Sequence, residues 1–395
     1  MLNAGALLLM LSMVFFVKSR LLKRLARVNM RILILITGLE LGGAETQVSQ
    51  MCDQLVSEGH EICLIAMMGK IDVRPMSEYV KIYSLDMQKN IVSIIKSFAS
   101  VFKLLDEFHP DIIHSHLFHA NIFSRIIKMF KRDIILVNTE HSKYIGSKLR
   151  KVLYQLTRSI PNFTTNVSNE ALENFVNNKV FNKKNSVAIY NGINVNKFSF
   201  STNTRARVRA ELSIPESRKI VLAIGRLVAA KDYPNLLNSF SLLNTENVDL
   251  LIIGAGSELE ALQSLIEELN LIDKVKLLGA KQNVEDYLSA CDIFVLSSAW
   301  EGFGLVVAEA MSCERIVVAT DAGGVKEVVG DYGFIVPIKS PHELANKVAH
   351  ALSLNQDEVS ILQRNARHRI ENTFSLNHVC HEWLWLYRKL LCNEC

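Results

Sequence analysis

The sequence predicts an α/β protein of two doubly wound domains. Three observations carry this reading. The chain has 395 residues, more than one ordinary core holds, and 49% are hydrophobic against 21% charged. From about residue 30 onward, short apolar runs of strand length alternate with longer segments of helical period. Several of those runs end in a glycine turn that leads straight into a helix. Open α/β sheets bind ligands at such carboxyl ends of strands.

The first 29 residues stand apart. Leu2 to Val17 is apolar except for Asn3, Gly5 and Ser12. That is shorter than the ~20 residues a spanning helix needs. No basic stretch precedes it and no small-residue cleavage site follows, so a cleaved signal peptide is not expected. Next, Leu21, Leu22, Leu25 and Val28 share one helical face, and Arg20, Lys23, Arg24 and Arg27 the other. A basic amphipathic helix of this kind suits an anionic membrane surface. Its charge would place the following domain in the cytoplasm. The alternative is that Met30 is the true start, since Met30-Arg-Ile-Leu-Ile-Leu-Ile opens a domain by itself.

Charge narrows the function. The net +4 comes from Lys18, Arg20, Lys23, Arg24 and Arg27; without these the chain has 39 basic and 40 acidic residues. The body is therefore not a nucleic-acid binder by charge. Seven scattered cysteines argue against a disulfide framework and for a reducing compartment. The terminal Cys392-Asn-Glu-Cys395 has no second pair and reads as incidental.

In the first half, strands are expected at Ile32–Ile36, Ile62–Ala66, Pro110–His116, Asp133–Asn138, Phe163–Val167 and Val187–Tyr190. The first runs into Gly38-Leu-Glu-Leu-Gly-Gly-Ala-Glu45 and a helix from about Ala44 to Ser57. This is not a dinucleotide fingerprint, because G-x-G-x-x-G is absent. A second helix is expected over Ile91–Phe108. The His114-Ser-His116 stretch with His119 is too poor in carboxylates to read as a metal site. Lys143, Lys148, Arg150, Lys151 and Arg158 form a basic stretch around a helix. It is either a solvated face or a dock for acidic lipid headgroups or a lipid-diphosphate acceptor.

The second half repeats the alternation. Ile220–Ile224 leads into Gly225-Arg226-Leu-Val-Ala-Ala-Lys231-Asp-Tyr-Pro234, with Pro234 suited to a first helical turn. Arg226 offers a planar fork for a phosphate and Lys231 a compact charge. Further strands are expected at Leu250–Ile253, Val275–Leu278, Asp292–Leu296 and Arg315–Thr320. The stretch that organises the chain is Ser297-Ser-Ala-Trp-Glu-Gly-Phe-Gly-Leu-Val-Val-Ala-Glu309. It is a strand end, a glycine turn and a helix start. Free N–H groups and the positive dipole end there suit an anion. Glu301 and Glu309 beside it suit hydroxyls. The pattern calls for a ligand with a phosphate at one end and hydroxyls around it.

Glu301-Gly-Phe-Gly with Glu309 after seven intervening residues resembles the E-x7-E motif of retaining GT-B glycosyltransferases, specifically family 4. The resemblance runs from roughly Met30 to the C-terminus. It includes the Gly-Gly-Ala-Glu loop with Gly43, His116, the Tyr190–Phe198 interdomain segment, the Gly225-Arg226…Lys231 loop and Asp321-Ala-Gly-Gly-Val-Lys-Glu327. It implies a GT-B fold of two Rossmann-like domains: residues 30–197 on the acceptor side and 198–374 binding the nucleotide sugar. Residues 375–395 would cross back to the first domain. It also implies transfer of a sugar, with retention, from a nucleotide diphosphate (UDP by expectation) to a hydroxyl of a glycan or glycolipid. The setting it suggests is bacterial surface polysaccharide or lipopolysaccharide synthesis at the inner face of the cytoplasmic membrane.

By that resemblance His116, Arg226, Lys231 and Glu301 are the catalytic residues. Gly43, Gly225, Gly302, Phe303, Gly304, Leu305 and Glu309 bind the donor, with Glu309 on the ribose. His141 is a looser match to a cleft histidine. No two aspartates lie two apart, so no Asp-x-Asp metal motif exists. Arg226, Lys231 and the helix N-terminus are expected to replace a metal, and no cofactor is implied. Two other readings stay open: a nucleotide-sugar epimerase of the same fold, and a non-catalytic nucleotide-sugar-binding subunit.

Overall fold

The computed structural model describes residues 29–243 and 246–393. The apolar and basic segment of the first 28 residues, and Cys395, lie outside them. Two parallel sheets form two lobes. In the first, β1 (Arg31–Ile36), β2 (Glu61–Ala66), β3 (Lys81–Ser84), β4 (Ile112–His116), β5 (Ile135–Glu140), β6 (Phe163–Asn166) and β7 (Ser186–Ala188) stand in the order β3-β2-β1-β4-β5-β6-β7. In the second, β8 (Lys219–Ile224), β9 (Val248–Ile253), β10 (Val275–Leu277), β11 (Ile293–Leu296), β12 (Ile316–Thr320) and β13 (Phe334–Val336) stand in the order β10-β9-β8-β11-β12-β13. The central strands read as continuous Ile, Leu and Val because helices cover both faces of each sheet.

Most expected strands appear with ends shifted by up to two residues, and three differences are informative. The edge strands β3 and β13 were not foreseen. Both are short and partly exposed; β3 lacks a continuous apolar run, and the apolar run of β13 is only three residues long. β5 begins and ends two residues later than expected. Asn138, Thr139 and Glu140 continue it although they are polar, because each is buried with partners. Arg125 lies fully buried beside them and donates to Asn138 Oδ1 at 2.7 Å and Thr157 Oγ1 at 2.8 Å.

The helix Gly43–Ser57 and the last helix, Leu376–Asn393, share one face of the first sheet with Met30, Ile32 and Ile34. The other face holds the helices Ile91–Phe108 and Phe118–Phe130 against Leu33, Leu35 and Ile113. Among the described residues no helix is long and apolar enough to cross a membrane.

Tyr387 ties the last helix to the sheet. Its hydroxyl is 2.6 Å from His114 Nδ1, and His114 Nε2 is 2.6 Å from Thr139 Oγ1. His114 is thereby a structural residue. Tyr387→Phe strands a fully buried ring nitrogen. Urea unfolding should show a loss of about 1–3 kcal/mol, the usual cost of an orphaned buried polar group.

The lobes join at two crossings of the chain that run side by side. Ile193 N–H donates to Phe374 O at 2.7 Å, and Leu376 N–H to Ile193 O at 2.8 Å. A second tie is carried by one carboxylate of the second lobe. Glu327 accepts from the N–H groups of Asn169 and Glu170 at 3.0 and 2.9 Å and from the Tyr190 hydroxyl at 2.9 Å. It thus caps the positive end of a helix in the opposite lobe.

Candidate functional site: the cleft between the lobes

The strand ends of both sheets face the cleft. After β11, Gly304 takes φ +91 and opens the helix Leu305–Ser312 with no side-chain cap. That left-handed conformation costs glycine little and a residue with a Cβ much more. In the first lobe the helix Gly43–Ser57 also starts without a side-chain cap. The two helix starts meet: a Cβ on Gly43 would sit 3.1 Å from Leu305 Cδ1. Two uncapped N-termini, one from each lobe, therefore converge on one place, and that arrangement attracts anions.

The loop after β8 supplies the cations. Arg226 is exposed. It faces Glu45 of the first lobe, whose carboxyl burial pushes up while Arg226 pulls it back. Lys231 is not the free cation the sequence suggested. Its Nζ lies 2.5 Å from Glu301 Oε1, and the two side chains are only 19% and 15% exposed. Ser298 Oγ also donates to Glu301 Oε1 at 2.8 Å, and Ser297 Oγ to Lys231 O at 2.8 Å. These bonds lock the two loops together. The physical reason is proximity: β8 and β11 are paired neighbours, so the loops that leave them lie side by side. Each charge neutralises the other where water is scarce. Gly225 is narrow because a Cβ there would press on Lys231 Cε at 3.0 Å and on the Tyr233 hydroxyl at 3.2 Å.

Phe303 is 3% exposed and packs with Tyr190 and Phe374. What it offers a ligand must come from its main chain. Gly302 meets the first lobe directly: a Cβ there would collide with the His141 carbonyl oxygen. Glu309 is half-buried on the helix. Burial pushes its carboxyl up to about 7, with Lys197 and Lys231 pulling down and Glu285 pushing up.

His116 and His141 meet because β4 and β5 are paired neighbours, with His116 opposite Thr139. His116 Nδ1 lies 3.0 Å from His141 Nε2. Burial lowers both rings below the ordinary histidine value, His141 to about 4, so both are neutral at physiological pH. One nitrogen of each ring is spent on the other. His116 Nε2 and His141 Nδ1 remain buried without partners, as does Gln47 Oε1. All three residues line one small cavity of about 10 Å³ in the first lobe, closed on one side by Trp383 of the last helix. Two neutral rings sharing one proton leave one donor and one acceptor for a hydroxyl entering there. Among the described residues no three histidines, cysteines or carboxylates gather to hold a metal ion. His119 sits on the helix Phe118–Phe130, outside this cluster.

Sequence reasoning did not single out Gln47, Glu45 or Glu327. Glu45 and Glu327 were legible only as the last residues of glycine loops, and Gln47 carried no motif of its own.

Two parallel-sheet lobes with uncapped helices and glycine turns facing one cleft define the GT-B class. The Anabaena protein Alr3699/HepE in complex with UDP has this fold, with a TM-score of 0.82 at 22% identity over 91% of this chain and 100% of that one. The family described as "Glycosyl transferases group 1" matches residues 204–369, and "Glycosyltransferase Family 4" matches residues 41–197. The chain belongs to the group 1 glycosyltransferases, with a family 4 N-terminal part, and is a glycosyltransferase. It is 27% identical over 373 residues to N-acetyl-alpha-D-glucosaminyl L-malate synthase of Bacillus anthracis, spanning 89% of this chain and 95% of that one. Against N-acetylgalactosamine-N,N'-diacetylbacillosaminyl-diphospho-undecaprenol 4-alpha-N-acetylgalactosaminyltransferase of Campylobacter jejuni it is 27% identical over 329 residues, 79% of this chain and 87% of that one.

Proposed function

We propose that the chain transfers a sugar, with retention and without a metal ion, from a UDP-linked donor to a hydroxyl of a lipid-linked glycan. The setting is bacterial surface polysaccharide or lipopolysaccharide synthesis at the inner face of the cytoplasmic membrane. We take residues 30–197 as the acceptor side, 198–374 as the donor side and 375–395 as the return to the first lobe. The observation that carries the reading is the group of Arg226, the Lys231–Glu301 pair and two uncapped helix N-termini around one cleft. Fixed positive charge aimed at a departing diphosphate can do the work of a cation. The Campylobacter relative's name specifies a diphospho-undecaprenol substrate, which supports a lipid-linked acceptor.

In this reading Arg226, Lys231 and the turn Gly302-Phe303-Gly304-Leu305 hold the diphosphate, with Gly43 and Gly225 giving it room. The bond from the anomeric carbon to the diphosphate oxygen breaks, and its electron pair leaves with the diphosphate. The acceptor hydroxyl oxygen bonds to the same face of that carbon. The hydroxyl proton passes to the departing diphosphate oxygen. Glu301 holds sugar hydroxyls and keeps Lys231 in place, Glu309 holds the ribose, and His116 lines the reacting face.

The test is release of UDP from UDP-sugars in a strong chelator, with and without an undecaprenyl-diphosphate-linked glycan. Release should require the acceptor, survive the chelator and give a product of unchanged anomeric configuration. Loss of activity restored by magnesium would reject the metal-free reading, and an inverted product would reject retention.

Glu309 gives a pH test. Its carboxyl is raised, so in the empty site it keeps its proton up to about pH 7 and is charged above. A carboxylate accepts ribose hydroxyls better than a carboxylic acid does. UDP binding should therefore strengthen as pH rises through 7, beyond the change due to the diphosphate itself. Glu309→Gln shares the diphosphate change and should lack the extra part. Calorimetric titration of both proteins between pH 6 and 8 checks this, and parallel profiles would remove Glu309 from the ribose. The stability sign runs the other way. The native state holds a proton that the unfolded carboxyl has already lost, so Glu309 weakens the fold as pH rises from 4.5 to about 7.

A further inference from the structure

We propose that the outward face of the helix Lys148–Thr157 docks on an anionic lipid bilayer and holds the cleft at the membrane surface. This rests on the reading of a lipid-linked acceptor.

The helix is built the wrong way round for a solvated one. Leu149, Val152 and Leu156 are 68%, 47% and 76% exposed. At spacings of three and four residues they share one face. Opposite them, Tyr154 is the buried residue. Its hydroxyl donates to buried Glu140, and the Arg125 guanidinium lies 4.6 Å from its ring. Arg125 also donates to Thr157 Oγ1 at 2.8 Å, and Lys151 to Asn178 Oδ1 at 2.8 Å. That polar inner face fixes the helix's rotation and leaves the leucines pointing out.

Charge selects the occupant. Lys148 and Arg150 flank the apolar ridge and are exposed. From Phe118 to Arg158 the chain has nine lysines and arginines, Arg125 among them buried, and two acids, Asp133 and the buried Glu140; Lys131 and Lys143 pair with Asp106 and Glu170 from outside the segment. The neighbouring helix Phe118–Phe130 contains no acid and exposes Met129 and Phe130 at its end. An apolar ridge between cations suits the boundary between headgroups and acyl chains.

Position gives the docking a purpose. Lys148 follows His141 by seven residues, and the His141 carbonyl abuts Gly302 of the second lobe. A bilayer at the ridge would bring a diphosphate on a lipid chain to the mouth of the cleft.

The experiment uses the full chain with vesicles of equal parts phosphatidylglycerol and phosphatidylcholine. Hydrogen exchange of residues 148–157 should slow on these vesicles and not on pure phosphatidylcholine. Replacing Leu149 and Leu156 by serine should weaken sedimentation with the vesicles roughly tenfold or more, given the apolar area withdrawn from lipid. The same variant should turn over a water-soluble acceptor analogue normally, because neither leucine touches the cleft. Sedimentation with unchanged exchange at 148–157 would overturn the proposal, since another segment would then be the anchor. Protection that appears without vesicles and grows with protein concentration would overturn it in favour of a second copy. Absence of sedimentation overturns it too. Failure of sugar transfer to the soluble analogue in the unaltered protein would instead reject the reaction, and the vesicle result would stand apart from it.

Discussion

Lys231→Gln should lower kcat by about 10²–10³-fold, the range seen when a preorganised donor to developing negative charge is removed. The Lys231 ammonium is paired with the Glu301 carboxylate, three residues before the Gly304 that opens one of the two uncapped helices. Without it the departing diphosphate loses a cation, and Glu301 is left as an unpaired anion beside that diphosphate. Both changes oppose bond breaking, so the loss falls on the transition state more than on donor binding. Glu301→Gln should also reduce kcat, by loosening Lys231 as well as by weakening bonds to the sugar. The two effects share one ion pair, so they should not add. A cycle of Lys231→Gln, Glu301→Gln and the double variant, read by kcat, measures the coupling. Additive losses would show that the two residues act separately. Near-normal turnover of Lys231→Gln would remove it from the leaving-group site.

Gly302→Ala should abolish most turnover, by about 10²-fold or more, for a different reason. The backbone there accepts an alanine, but the added Cβ meets the His141 carbonyl of the opposite lobe. The lobes would have to part by a fraction of an ångström to a full one. A displacement of that size between reacting groups is enough for a loss of about 10²-fold. Each lobe keeps its own core, so the melting temperature should change little. UDP binding, which the second lobe's loops dominate in the proposed reading, should fall far less than kcat. Small-angle scattering with and without UDP would show whether closure is lost. A variant that closes and turns over normally would show that the Gly302–His141 approach is incidental.

The apolar runs and glycine turns were legible in the chain because strand burial and left-handed turns leave local marks. Ile32–Ile36, Ile220–Ile224 and the stretch from Ile293 to Glu309 each carry their own reason to fold as they do. So do Arg226 and Lys231, cations in a loop that follows a strand. β5 was misplaced because Asn138, Thr139 and Glu140 look like a strand's end. Only partners distant in sequence, Arg125 among them, make them worth burying.

By itself the sequence determined an alternating α/β chain, two families of glycine turns, and a site combining cations with paired glutamates. The tertiary structure alone decided that Lys231 is held by Glu301, 70 residues away. It also decided that His116 shares its proton with His141, that Glu327 caps a helix of the other lobe, and that Leu149 and Leu156 face outward. The reason is the same in each case. Local marks report what a residue prefers, whereas an ion pair, a shared proton or a helix's rotation is set by which strands are neighbours and which buried polar groups must be satisfied.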